Sequence, residues 1–253
     1  METIRKGSKS IDVLSLQASL GLTLDGVFGE KTEIRVKDFQ DSHSLKIDGV
    51  VGPRTWDIIL KETRKTGISE EYWSETAKYL GVEIAILKAI HQVETSGVSF
   101  LASGYPALLF EAHIFYKYIK PTDALLKKHS GILSKTWNKS LYKGGQGEVP
   151  RIKEAWDISP VYSIMSASFG AFQICGFNYK ICGYQKVFDF YKDMWISEEG
   201  QLKALSRFLR GSGIVPYMKE LNFEEIARRY NGEGYKQNEY DKKLEEAYLK
   251  YHP

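Results

Sequence analysis

Val13, Leu16 and Leu20 recur at helical spacing behind Ser10, and they predict a helix over residues 10–20 with one buried face. A second helix is predicted over residues 32–43, with Ile34, Val36 and Phe39 as its apolar positions. Residues 82–95 carry a wider stripe of Ala85, Ile86, Ala89, Ile90 and Val93, the pattern of a mostly buried helix, and Gly97 is its expected stop. Asn222, with Glu225 three residues on, starts a further helix that runs to Tyr230-Asn231-Gly232.

Between the first helices lies a repeat. Leu22-Thr23-Leu24-Asp25-Gly26-Val27-Phe28-Gly29-Glu30-Lys31-Thr32 returns 23 residues later as Leu45-Lys46-Ile47-Asp48-Gly49-Val50-Val51-Gly52-Pro53-Arg54-Thr55, with six of eleven positions identical. Each copy reads as a turn at Asp-Gly followed by a helix start, and Pro53 suits a first helical turn. Residues 1–65 thus form a small three-helix unit with two matched loops, Asp25-Gly26 and Asp48-Gly49. Thr63-Arg64-Lys65-Thr66-Gly67 reads as a short polar linker, and residues 66–253 as a second domain. Arg5-Lys6-Gly7, Val13-x-x-Leu16-Gln17, the two loops, Lys37-x-Phe39-Gln40 and Thr55-Trp56 resemble the peptidoglycan-binding module of cell-wall hydrolases, over about residues 4–62. The resemblance implies wall targeting by a separately folding unit.

Composition narrows the remainder. With 43% hydrophobic and 26% charged residues the chain is ordinary for a globular protein, and extensive disorder is excluded. Thirty-five basic residues against 32 acidic give +3, without the concentrated basic stripe of a nucleic-acid binder. No apolar run approaches the roughly 20 residues of a membrane helix, and no apolar segment follows the first residues as in a secretory signal. Cys175 and Cys182 are too few for a disulfide framework and read as buried free thiols. Aromatic residues make up 13%, enough for a large aromatic core or for surfaces that stack on sugar rings.

The candidate chemistry is carboxylate chemistry. Glu94 sits just past the apolar stripe, in the last turn of its helix. Apolar surroundings and the negative helix end both favour its protonated form, as a general acid for glycosidic cleavage needs. Glu111 lies in the apolar stretch Leu108-Leu109-Phe110-Glu111-Ala112-His113, and a second carboxylate completes the glycosidase pair. Ser168-x-Gly170-x-x-Gln173 combines small residues with an amide able to donate to and accept from a sugar. His91, Glu94, Glu111 and His113 lack a His-Glu-x-x-His pattern, so no metal site is read.

Val93-Glu94-Thr95-Ser96-Gly97, Leu109-Phe110-Glu111-x-His113-x-Phe115, Ser166-Ala167-Ser168-Phe169-Gly170, Gly176-Phe177-Asn178 and Tyr230-Asn231-Gly232-x-Gly234-Tyr235 together resemble the N-acetylmuramidase domain of modular phage endolysins, in the lysozyme-like superfamily. The resemblance covers about residues 75–250. It implies a mainly α fold, a three-helix wall-binding domain followed by a lysozyme-like α-rich catalytic domain. It also implies cleavage of the β-1,4 bond between N-acetylmuramic acid and N-acetylglucosamine. Glu94 is the implied acid and Glu111 the assisting carboxylate, with His113, Ser168, Gln173, Tyr230 and Asn231 in the saccharide groove. Phe169 stands where family members often carry Trp. A lytic transglycosylase making 1,6-anhydro products, or a non-catalytic wall-binding protein, are the alternatives. No cofactor is expected, and the expected partner is bacterial peptidoglycan, bound by a monomer without nucleic acid or membrane insertion. Synthesis is expected in the host cytoplasm, with access to the wall after the membrane is permeabilised.

Overall fold

A computed structural model describes residues 1–95 and 98–252. Helices α1 (Ile11–Leu20), α2 (Glu30–Ser42) and α3 (Pro53–Thr63) make the first unit. They are followed by α4 (Glu70–Leu80), α5 (Ile84–Thr95), strand β1 (Leu108–Phe110), α6 (Ala112–Ile119) and α7 (Asp123–Lys128). Next come α8 (Glu148–Ile158), α9 (Pro160–Met165), the hairpin β2 (Ala167–Phe169) and β3 (Ile174–Cys175), and α10 (Val187–Ile196). The chain closes with α11 (Glu198–Gly211), α12 (Val215–Lys219), α13 (Phe223–Asn231) and α14 (Tyr240–Tyr251). The fold is mainly α, and one small antiparallel sheet runs in the order β1-β2-β3.

The helices predicted from periodicity are present, with Ser10 accepting from the Val13 N–H and Asn222 from the Glu225 N–H as their N-caps. Gly97, the expected stop of α5, lies outside the described residues. Ile34 does not join the core. It is 53% exposed, because two residues of helix turn it some 200° from the buried Val36.

The repeat is held by two residues that continue it. Gln17 and Gln40, also 23 apart, are almost fully buried. Gln17 donates to Asp25 Oδ1 (2.7 Å) and accepts from the Gly26 N–H (2.8 Å). Gln40 donates to Asp48 Oδ1 (3.1 Å) and accepts from the Gly49 N–H (2.9 Å). Each aspartate also accepts from the backbone N–H two residues on, at Val27 and Val50, which closes the turn. A buried amide that satisfies a loop's backbone fixes that loop more firmly than surface contacts would.

Helix α1 is buried nearly all round rather than on one face. Its apolar side faces its own unit. Its polar stripe, Asp12, Ser15 and Ser19, meets the second unit. Asp12 accepts from Tyr105 Oη (2.6 Å) and Lys153 Nζ (2.6 Å), Ser15 bonds Tyr191 Oη (2.9 Å), and Trp195 Nε1 donates to Ser19 Oγ (2.8 Å). Tyr105 stands edge-on to Trp195, and Tyr191 stacks beside it. Gly26 presses against Trp156, where an added Cβ would sit 2.5 Å from Cζ2. The polar linker is tied down as well. The Lys65 N–H donates to the Ile196 carbonyl, the Glu198 N–H to the Lys65 carbonyl, and the Arg64 guanidinium lies over Phe100 and Trp195.

Candidate active site

Glu94 ends α5, whose apolar face is anchored by Ile86, Ala89 and Ile90, each fully buried. Helix α14 lies along α5 and brings Tyr240 to the Glu94 carboxyl, and the end of α13 brings Tyr230 and Asn231. Burial pushes the carboxyl up to about 7, while Tyr240 and Asn231 pull it partly back. Neither closes a bond on Oε1. That oxygen and the Tyr240 hydroxyl are both shielded from solvent and without a partner. Buried polar atoms left unsatisfied are costly in a finished fold.

Glu111 follows β1 and occupies the N-cap position of α6, but its side chain does not cap the helix. Its Oε2 accepts from Tyr142 Oη (2.5 Å) and meets His113 Nδ1 at 3.2 Å. Burial, with the bonded Glu111 carboxylate behind it, drives the Tyr142 hydroxyl well above its ordinary value. Tyr142 therefore stays a donor toward Glu111. The loop that carries it is held by the fully buried Glu148, which accepts from the Lys143, Gly144 and Phe110 N–H groups and pairs with Arg151. Burial alone would raise the Glu148 carboxyl. The three N–H donors and the arginine outweigh it and hold the group below its usual range. Trp137, 60% exposed, lies against Tyr142, while the other four tryptophans are at most 5% exposed.

The β2–β3 hairpin spans these two regions. At its open end the Ser166 carbonyl accepts from the Glu111 N–H. At its turn the Phe172 carbonyl accepts from Tyr230 Oη (2.8 Å), and the Phe172 ring lies 5.3 Å from that of His91, one turn before Glu94. The structure so brings Glu94, Tyr230 and Asn231 to one end of the hairpin and Glu111 and His113 to the other. Ser168 and Gln173 lie within it, in an arrangement the sequence did not suggest. Ser168 Oγ donates to Gln173 Oε1 (2.8 Å), and Gln173 Nε2 donates to the Gly170 carbonyl (2.9 Å). The amide expected to face a sugar is engaged in the turn itself, where Gln173 adopts φ 47°.

Sequence reasoning missed Tyr142, Tyr240, and the Glu148–Arg151 pair. The last had a weak signal, opposite charges at i,i+3 in a helix. Tyr142 and Tyr240 had none, since their role arises only from tertiary proximity. No three metal-ligating side chains converge among the described residues. Cys175 and Cys182 are free thiols, and burial pushes both up to about 12.

The model of the N-acetylmuramidase family matches residues 83–252, two thirds of the chain and both carboxylates. The chain belongs to the N-acetylmuramidase family. A peptidoglycan binding domain model matches residues 14–59, so the muramidase domain follows a wall-binding domain. In the solved structures, a Burkholderia AP3 phage endolysin is 34% identical, with a TM-score of 0.68 over 99% of each chain. A spore cortex-lytic enzyme of Bacillus cereus is 32% identical over 69 residues, covering 25% of this chain and 27% of that protein. An uncharacterized protein of Kitasatospora aureofaciens is 51% identical over 39 residues, covering 15% and 33%. The chain thus matches about a quarter to a third of the length of these two curated relatives.

Proposed function

We propose that this muramidase is an endolysin that hydrolyses the β-1,4 bond between N-acetylmuramic acid and N-acetylglucosamine. The reading is carried by Glu94, a carboxyl held near 7 by burial with an unpartnered oxygen facing Tyr240. Such a group is protonated in a useful fraction at neutral pH and gives its proton to the glycosidic oxygen as the bond breaks. Glu111, fixed by Tyr142 and His113, orients water toward the anomeric carbon or balances positive charge developing on the ring. Tyr230, Asn231 and Tyr240 contact the sugar beside the acid. Ser168 and Gln173 keep the hairpin between the two carboxylates rigid. Exposed Trp137 offers a stacking face near Glu111.

The domain limits, 1–65 for wall binding and 66–253 for catalysis, belong to the same proposal. So do synthesis in the host cytoplasm, passage to the wall through a permeabilised membrane, and action as a monomer. No helix among the described residues is long and apolar enough to cross a membrane. Chromatography and mass spectrometry of digested peptidoglycan test the reaction. Reducing muramic acid ends are expected. Predominantly 1,6-anhydro products, lighter by one water, would overturn hydrolysis, and cleavage of peptide or amide bonds would overturn the glycosidase reading.

A further inference from the structure

The two loops of the repeat each border a groove, and the grooves are copies. All nine residues lining the first have their counterparts, 23 positions on, among the nine lining the second. Their chemistry has diverged. The first has Asp25, Glu30 and Lys31, one excess negative charge, and the second has Lys46, Asp48 and Arg54, one excess positive charge. Each groove is also closed by a helix start, α2 behind Gly29 and α3 behind Gly52, neither with a side-chain cap. In α2 the first turn carries Glu30, a negative charge near those backbone N–H groups, and Glu33, whose carboxylate pairs with Lys6 and Lys37. The first turn of α3 has no acidic residue, and the N–H groups of Arg54 and Thr55, its second and third residues, have no backbone partners, as at any helix start.

A second observation singles out the same groove. Thr55 is 7% exposed, lines the groove, and its hydroxyl makes no hydrogen bond among the described residues. Its counterpart Thr32 is reached by Gln17 Nε2 at 3.5 Å. Arg54 is exposed and has no ion pair among the described residues. The first groove adjoins the loop packed on Trp156, whereas the nearest side chains to Gly49 in the second loop are Lys37 and Glu33 of its own unit. At about 240 Å³ the second groove lies below the roughly 300 Å³ at which small-molecule pockets begin, so it suits one end of a ligand.

We propose that the second groove binds the terminal carboxylate of a peptidoglycan stem peptide, between the Arg54 and Thr55 N–H groups, the Thr55 hydroxyl and the Arg54 guanidinium, and that the first groove does not. The choice of ligand rests on the wall-hydrolase reading. Uncapped N–H groups and an adjacent cation are the general means by which a helix start holds an anion. A repeat that kept its shape and changed its charge has one selective groove rather than two equal ones.

The probes are N-acetyl-D-alanyl-D-alanine as free acid and as C-terminal amide, titrated into the isotope-labelled full chain. The acid should shift the Arg54 and Thr55 amide resonances and bind at least about tenfold more tightly than the amide. Arg54→Glu, an exposed change that leaves the core alone, should abolish that preference, and Thr55→Val should weaken binding of the acid. Lys31→Glu, at the matching position of the first groove, should leave it unchanged. Equal binding of acid and amide, resonance shifts centred on Lys31 and Thr32, or equal losses in Lys31→Glu and Arg54→Glu would overturn the proposal. Failure of the muramidase reading would appear elsewhere, in a wild-type digest without reducing muramic acid ends.

Discussion

Glu94→Gln keeps the size of the side chain and removes its proton and its charge. Burial raises the native carboxyl from 4.5 to about 7. A carboxyl whose folded value lies above its unfolded one favours the fold most when protonated. Its contribution is fully present below pH 4.5 and is lost as pH rises to 7. At about 1.36 kcal/mol for each unit, ionised Glu94 opposes folding by about 3 kcal/mol at pH 8. The glutamine variant carries no such penalty. It should be more stable than the native chain at pH 8 by up to about 3 kcal/mol, or about 6–12 °C in Tm for a chain of this size. Most of that gain should vanish at pH 5. In the same samples turnover should fall at least ~100-fold, the usual contribution of a placed general acid. Native activity should decline above pH 7 as the acid ionises. Thermal melts at the two pH values, paired with product analysis, provide the measurement. An equal Tm gain at both pH values, or a loss at pH 8, would refute the burial reasoning. Near-normal turnover would move the chemistry away from Glu94.

Tyr142→Phe should lower turnover about tenfold with a smaller effect on stability, since it removes one charge-assisted bond to Glu111. Glu111→Gln should also impair turnover, and full activity there would make Glu111 structural; steady-state kinetics on soluble glycan separates these outcomes. Asp12→Ala leaves the buried Tyr105 hydroxyl without its acceptor and Lys153 with Glu2 alone, and should cost about 1–3 kcal/mol, read by denaturant unfolding. Gly26→Ala should destabilise more than Gly49→Ala, because both have positive φ but only the first drives a Cβ onto Trp156; a comparison of melting temperatures tests the order.

Local pattern carried far in this chain. The stripe of α5 fixed both the helix and the place of Glu94 at its end, and a 23-residue offset exposed the matched loops of the first unit. What remained hidden was the tertiary use of polar residues. Asp12, Ser15 and Ser19 lie off the apolar face that Val13, Leu16 and Leu20 mark on α1, yet they face aromatic side chains of the second unit. Periodicity cannot tell a solvated stripe from one that is hydrogen-bonded inside a protein. Gln173 shows the same limit. Its amide looked free for a ligand, but a positive φ places it in a turn where the backbone and Ser168 take its bonds. The short strands were missed because two or three residues carry no readable alternation.

Removal of residues 1–65 distinguishes a tethered wall-binding unit from an integral one. A flexible tether raises effective concentration at the wall and leaves the enzyme intact without it, so a truncated chain would keep its activity on soluble fragments. The structure supports a different outcome. Tyr105, Tyr191 and Trp195 are at most 1% exposed in the whole chain, and α1 supplies the partners of all three. Each is a large aromatic burying about 150–250 Å², so their uncovering opens a patch of several hundred Å², the size at which a monomer becomes prone to association. Residues 66–253 alone should therefore aggregate or melt well below the full chain, and should lose activity on soluble fragments along with activity on intact walls. Size-exclusion chromatography and thermal melts check the first expectation, and fragment kinetics the second. A monodisperse truncated domain with native Tm and native fragment turnover would show that the contact through α1 only aligns two independent domains. Otherwise the wall-binding unit completes the core that holds β1 and α10 in place, and its distance from Glu94 is set by packing and not by slack in the chain.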